Sequence, residues 1–188
     1  MAIYKEGKRL VKLWKGAEKI ARVYKGSELI FGYPPSTLLF EQSTAGTYTL
    51  TLDYDVKCHI EIVGGGGGGF VNFAHDLYYG GGSGAYIKGD LIIPAGTYEI
   101  IVGAGGNYGY SGSTSSFLGQ EASGGITPGS GGQGGTATVT LPELTGINGN
   151  SGSLGYAGAS VYDGQGNYGA GGFGVSKGVG GYVKIQTI

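Results

Sequence analysis

Two histidines, one cysteine and a scatter of carboxylates supply whatever acid–base or metal chemistry this 188-residue chain has. His59 sits in an alternating run, Tyr54, Val56, Cys58, Ile60 and Ile62 against Asp55, Lys57, His59 and Glu61. That spacing predicts a half-buried strand with Cys58 facing a core and His59 facing solvent. His75 precedes Asp76 in a loop and is a candidate ligand contact. Neither histidine adjoins a nucleophile motif. A single Cys excludes an internal disulfide and any zinc site with two thiolate ligands. Asp76, Asp90, Glu121 and Asp163 are not spaced as the carboxylate pair of a glycan hydrolase. The chain is therefore expected to be no enzyme and to hold no metal or cofactor.

Gly64–Gly69 follows a strand and formally contains G-x-G-x-x-G. Phe70-Val71-Asn72-Phe73 is a poor helix start, and Asp90 precedes its strand instead of closing it, so a dinucleotide site is not expected. No Gly-Lys-Ser/Thr exists to make a P-loop. Aromatic segments between glycine blocks are more informative. Phe70, Phe73, His75, Tyr78 and Tyr79 form one; Tyr108, Tyr110 and Phe117 a second; Tyr156, Tyr162, Tyr168 and Phe173 a third. Tyrosine among Gly, Ser and Asn is the composition of adaptable binding loops, and equally of rings that cover glycine layers. The segment 70–79 is the first candidate for contact.

The elements that must position these residues are strands and glycine runs. Ala45-Gly46-Thr47-Tyr48 recurs as Ala95-Gly96-Thr97-Tyr98, each copy leading into a strand. Residues 86–93, 137–141 and 182–185 supply further strands, giving an all-β domain with an antiparallel sandwich or jelly-roll-like sheet pair. Of 44 glycines, 39 lie from residue 64 onward. Gly146, Gly149, Gly152, Gly155 and Gly158 fall three apart, as do Gly103, Gly106, Gly109 and Gly112. Period three matches an extended left-handed helix of the polyglycine II type, with glycine on the face where backbones meet. Read as one such helix, 146–158 spans about 40 Å. Short runs almost free of proline exclude collagen.

Residues 1–35 form a separate basic module, and 36–188 the glycine-rich domain. A ten-residue repeat aligns Leu13-Trp14-Lys15-Gly16 with Val23-Tyr24-Lys25-Gly26, and a third copy begins at Ile30-Phe31. Fixed glycines favour short strands and tight turns, although 8–25 also fits one helical stripe. Residues 1–33 hold eight of the twelve Lys/Arg and three acids; the remainder holds four bases and ten acids. The tyrosine-rich part is acidic, which argues against nucleic acid as a partner. No secretory signal and no membrane span are read in the chain.

Alternating glycine blocks (Gly64–Gly69, Gly80–Gly84, Gly103–Gly106, Gly124–Gly135, Gly169–Gly181) and aromatic segments resemble the glycine-rich adhesins at the fibre tips of T-even-type phages. The Trp14-Lys15-Gly16 and Tyr24-Lys25-Gly26 repeats resemble those heading phage structural proteins. The resemblance implies a non-catalytic virion protein, assembled in the host cytoplasm, whose distal loops bind a bacterial surface protein or glycan. It implies attachment to other virion proteins through the N-terminal part (Trp14, Tyr24, Phe31), as a homotrimer or a monomer capping a trimeric fibre. A purely structural virion part without a receptor is the alternative.

Overall fold

The computed structural model describes residues 36–127 and 131–188 in full, and the backbone of six short strands before them. The chain is all-β, with several antiparallel sheets and no helix among the described residues. The six early strands make three separate hairpins: β1 (Tyr4–Lys5) with β2 (Lys8–Arg9), β3 (Leu13–Lys15) with β4 (Glu18–Ile20), and β5 (Val23–Lys25) with β6 (Glu28–Phe31). Lys15 faces Glu18 and Lys25 faces Glu28. The strand reading of the repeat holds over these residues and the helical one does not.

Two five-stranded sheets follow. The first orders β17 (Leu144–Ile147), β12 (Tyr86–Ile93), β9 (Val56–Val63), β18 (Tyr182–Thr187) and β7 (Leu38–Gln42). The second orders β16 (Ala137–Thr138), β15 (Gln120–Ala122), β14 (Ser115–Phe117), β13 (Gly96–Val102) and β8 (Gly46–Leu52). Alternation decides which side of each strand is apolar, and those sides meet in one core that includes Cys58, Ile60, Ile62, Ile87, Ile100, Phe117, Val183 and Ile185. The two Ala-Gly-Thr-Tyr copies lie on paired strands, with Tyr98 opposite Leu50 and Ile100 opposite Tyr48. In both, the tyrosine hydroxyl donates to the carbonyl four residues back, Tyr48 to Thr44 at 2.8 Å and Tyr98 to Pro94 at 2.7 Å. The expected strand 137–141 is shorter than its alternation suggests, because from Val139 the chain leaves β15. Thr140 N–H instead donates to Gln120 Oε1 at 2.8 Å.

Strands run on into glycine segments. Residues 64–69 continue β9, and 80–85 lead back into β12. The amides of 64–69 donate in rotation to three neighbours: Gly64 and Gly67 to 82–85, Gly65 and Gly68 to 110–113, Gly66 and Gly69 to 176–179. Three further segments donate back, Gly106 to Gly66, Gly125 to Gly65 and Gly172 to Gly67. Residues 80–85 repeat the scheme, donating to 150–153, 169–172 and 123–126 and accepting from Gly132, Gly158, Gly67 and Gly64. Every amide of both segments is thereby bonded away from water, as buried backbone requires.

Only glycine permits that approach. A Cβ on Gly66 would stand 1.9 Å from the Ala170 carbonyl oxygen, and one on Gly82 the same distance from that of Gln133. The period-three run at 146–158 is not one continuous segment, contrary to the span expected of it. Gly146 belongs to β17, and the chain reverses at Ser153–Tyr156, where Gly155 takes φ +84°. Glycine therefore recurs in threes there for different reasons: sheet contact, backbone packing and a left-handed turn.

Candidate binding site

Because each glycine segment starts at a strand end, its far end lies away from the sheets. The chain turns back there at 70–79, 107–110, 153–156 and 173–176. Segment 70–79 is a hairpin, β10 (Phe70–Asn72) paired with β11 (Leu77–Tyr79). Asn72 organises its loop: the side-chain oxygen accepts from Ala74 N–H at 3.2 Å and the carbonyl from His75 N–H at 3.1 Å. Asp76 closes it with φ +50°, a left-handed conformation that Asp tolerates.

The turns are tied to one another. Gly155 N–H donates to the Tyr78 carbonyl at 3.0 Å, and Tyr79 and Gly80 bridge to Leu154 and Phe173. Tyr108 stacks on Phe70 with centroids 6.2 Å apart, and its hydroxyl donates to the Val71 carbonyl at 3.2 Å. Phe70 also meets Tyr79, and Tyr78 meets Phe173, at 6.3 and 6.4 Å. Beyond this floor, Phe73, Tyr110 and Tyr156 stand 76%, 72% and 75% exposed. Tyr78, Leu154, Phe173 and Val175 are exposed as well. A groove of about 550 Å³ runs between Asp76, Leu77, Tyr78, Leu154, Gly155 and Phe173. Contiguous exposed apolar surface on fixed backbone is what recognition sites present.

Of the residues singled out in sequence, Phe70, Phe73, His75, Tyr78, Tyr79, Tyr108, Tyr110, Tyr156 and Phe173 come together at this tip. Three do not. Phe117 is 1% exposed, because β14 pairs with β13 and turns that ring into the core, edge-on to Tyr98. Tyr162 and Tyr168 lie beside the first sheet with Tyr86 and Tyr182, where Tyr168 stacks on Tyr182 at 4.4 Å. The side chains of Trp14, Tyr24 and Phe31 lie outside the described residues. Leu154 and Val175 belong to the tip but were not singled out. Their signal was one bulky residue between two glycine runs, the pattern that located Tyr156.

The tyrosine cluster is a polar lock on loop 160–168. Tyr86 and Tyr162 hydroxyls donate to the two Glu61 oxygens at 3.1 and 3.3 Å, and Tyr182 donates to Glu41 at 2.6 Å. Lys88 pairs with Asp163, and that hydrogen bond, followed by one from Tyr86, holds the Asp163 carboxyl below its ordinary range. Burial, then the Glu61 charge, pushes the Tyr162 phenol up to about 12. Burial first also raises Tyr86 and Tyr182, which carry Asp163 and Glu41 as next causes respectively.

His59 Nδ1 lies 2.6 Å from Asp90 Oδ1 and Nε2 lies 4.0 Å from Glu61 Oε1, on the outward face of the first sheet. Among the described residues no group of three or more His, Cys, Asp or Glu is arranged to hold a metal ion. No helix among them is long and apolar enough to cross a membrane.

A glycine-rich domain family profile matches residues 42–186, and the chain belongs to that family. No curated protein matches it.

Proposed function

We propose that this glycine-rich domain is a non-catalytic adhesin or fibre protein of a bacteriophage virion, whose aromatic tip binds a receptor on the bacterial surface. One observation carries the reading. A backbone lattice fixes four chain reversals at one end of the molecule, and exposed Phe73, Tyr78, Tyr110, Tyr156 and Phe173 stand on them. The lattice is of the polyglycine II kind: each inner segment donates in three directions in turn, as a threefold extended helix does. It works as a rigid stand, in which the order of the loops is established before a partner arrives. Less ordering entropy is then lost on contact. The two sheets below form a sandwich that anchors the segments, and the resemblance to phage fibre-tip adhesins supplies the setting. Several copies on one particle would turn weak single contacts into firm attachment.

The test is attachment of labelled full-length protein to a panel of bacterial cells. A Tyr78→Ala/Phe173→Ala double variant is expected to lose at least roughly tenfold in attachment, since buried aromatic anchors dominate interface energies. Its melting temperature should stay within a few degrees, because both rings are exposed. Undiminished attachment by the variant would remove the tip from the reading. Absence of attachment by the unmodified chain to every strain would favour a purely structural virion role.

A further inference from the structure

The sheets carry a second groove at the end remote from the tip. About 500 Å³ in volume, it is lined by Lys57, Asp90, Leu91, Ile92, Pro94, Leu118, Leu141 and Glu143. Its floor is aliphatic, Ile92 is 42% exposed, and its rim carries two carboxylates against one lysine. The chain enters the domain beside it. Ser36 N–H donates to the Thr187 carbonyl at 2.9 Å, and the next residue, Ile188, donates to the Lys57 carbonyl at 3.1 Å.

We infer that this groove seats the chain's own N-terminal repeat, residues 1–35. Three observations converge on that occupant. Among the described residues each repeat forms a two-stranded hairpin in a sheet of its own, and such hairpins are marginal in water unless a further surface covers them. Residues 1–33 carry eight bases and three acids, net +5, whereas 34–188 carry four bases and ten acids, net −6. Like charge works against repeats clustering with one another; opposite charge draws them to the body, with Arg22 and Lys25, the two bases of the repeat nearest it in sequence, suited to Asp90 and Glu143. Finally, four residues separate Phe31 from Ser36, a tether of at most about 18 Å over its five Cα steps. A short tether holds the hairpin β5–β6 at an effective concentration of about millimolar, ahead of a neighbouring copy in dilute solution.

Amide hydrogen exchange on the full chain tests this. In the unmodified protein, the amides of Val23–Lys25 and Glu28–Phe31 should exchange at least roughly tenfold more slowly than in Glu143→Lys or Ile92→Lys, at low and high protein concentration alike. Ile60 and Ile62 report whether the body stays folded. Raising salt to about 1 M, where screening reaches about 3 Å, should speed the same hairpin without any substitution. This salt comparison decides the matter if a variant misfolds. Equal hairpin exchange in all three proteins, or indifference to salt, overturns the proposal. So does protection that disappears on dilution, which would assign the groove to a neighbouring copy.

Discussion

Single residues in this protein are constrained mainly by how near another backbone lies. Gly66→Ala would drive a methyl to 1.9 Å from a carbonyl oxygen that is itself held in the lattice, so neither side can yield cheaply. A loss of at least about 3 kcal/mol in denaturant unfolding is expected, or failure to fold. Gly109→Ala is the contrast: its Cβ meets nothing within 4 Å, and only its φ of +75° is unfavourable, which predicts about 1 kcal/mol. Similar losses for the two would refute the packing argument. Tyr98→Phe removes one hydroxyl-to-carbonyl bond at a strand start and should lower stability by about 1 kcal/mol in the same measurement. Tyr162 gives a pH signature. Its phenol ionises near 10 when unfolded and at about 12 in the folded chain. Its contribution is therefore complete below pH 10 and is lost as pH climbs to about 12. The urea midpoint should fall across that interval, less steeply in Tyr162→Phe.

At the scale of elements, what the sequence discloses depends on whether a pattern has one cause. Strand β9 alternates because one face is core and the other carries its polar side chains, so Cys58 inward and His59 outward are readable directly. The hairpin β14–β15 is hidden. Its turn is Leu118-Gly119 with both φ positive, and leucine is a poor signal for a left-handed residue that its core contacts hold in place. Phe117 was misplaced for the same reason, since without that hairpin nothing turns its ring inward. Glycine spacing at 146–158 was read as one segment because packing and turning both demand glycine, and only partners distinguish them. The tip aromatics were legible because glycine on both sides leaves a bulky residue nowhere to go but the turn. The floor beneath them was not, since Tyr108 and Phe70 are far apart in sequence. That stack implies a prediction: Tyr108→Ala should weaken attachment by loosening hairpin 70–79, although Tyr108 is only half-exposed. Faster exchange of Val71 N–H would accompany the loss. Normal exchange with lost attachment would make Tyr108 a direct contact instead.

For the whole molecule, the question is whether the lattice and the sheets fold as one unit. Their junction is dense: Ser115 Oγ donates to the Val63 carbonyl at 2.6 Å and accepts from Gly103 N–H at 2.9 Å, joining strand ends of both sheets where glycine segments begin. Gly181 N–H donates to the Gly103 carbonyl one residue before β18 starts. Inner segments 64–69 and 80–85 have no solvent-facing amide, and glycine loses more chain entropy on ordering than any other residue. Segments so expensive to order should persist only while all neighbours are in place, which makes their opening global. Amide exchange is therefore expected to be as slow in 64–69 and 80–85 as in β9, governed by complete unfolding. Outer residues such as Gln133 and Asn150, with solvent on one side, should exchange faster through local opening. Rapid exchange throughout both inner segments, with β9 still protected, would mean that the sheets stand alone and the tip rests on a loose tether. An aromatic surface mounted that way would have to be ordered anew by each partner it met.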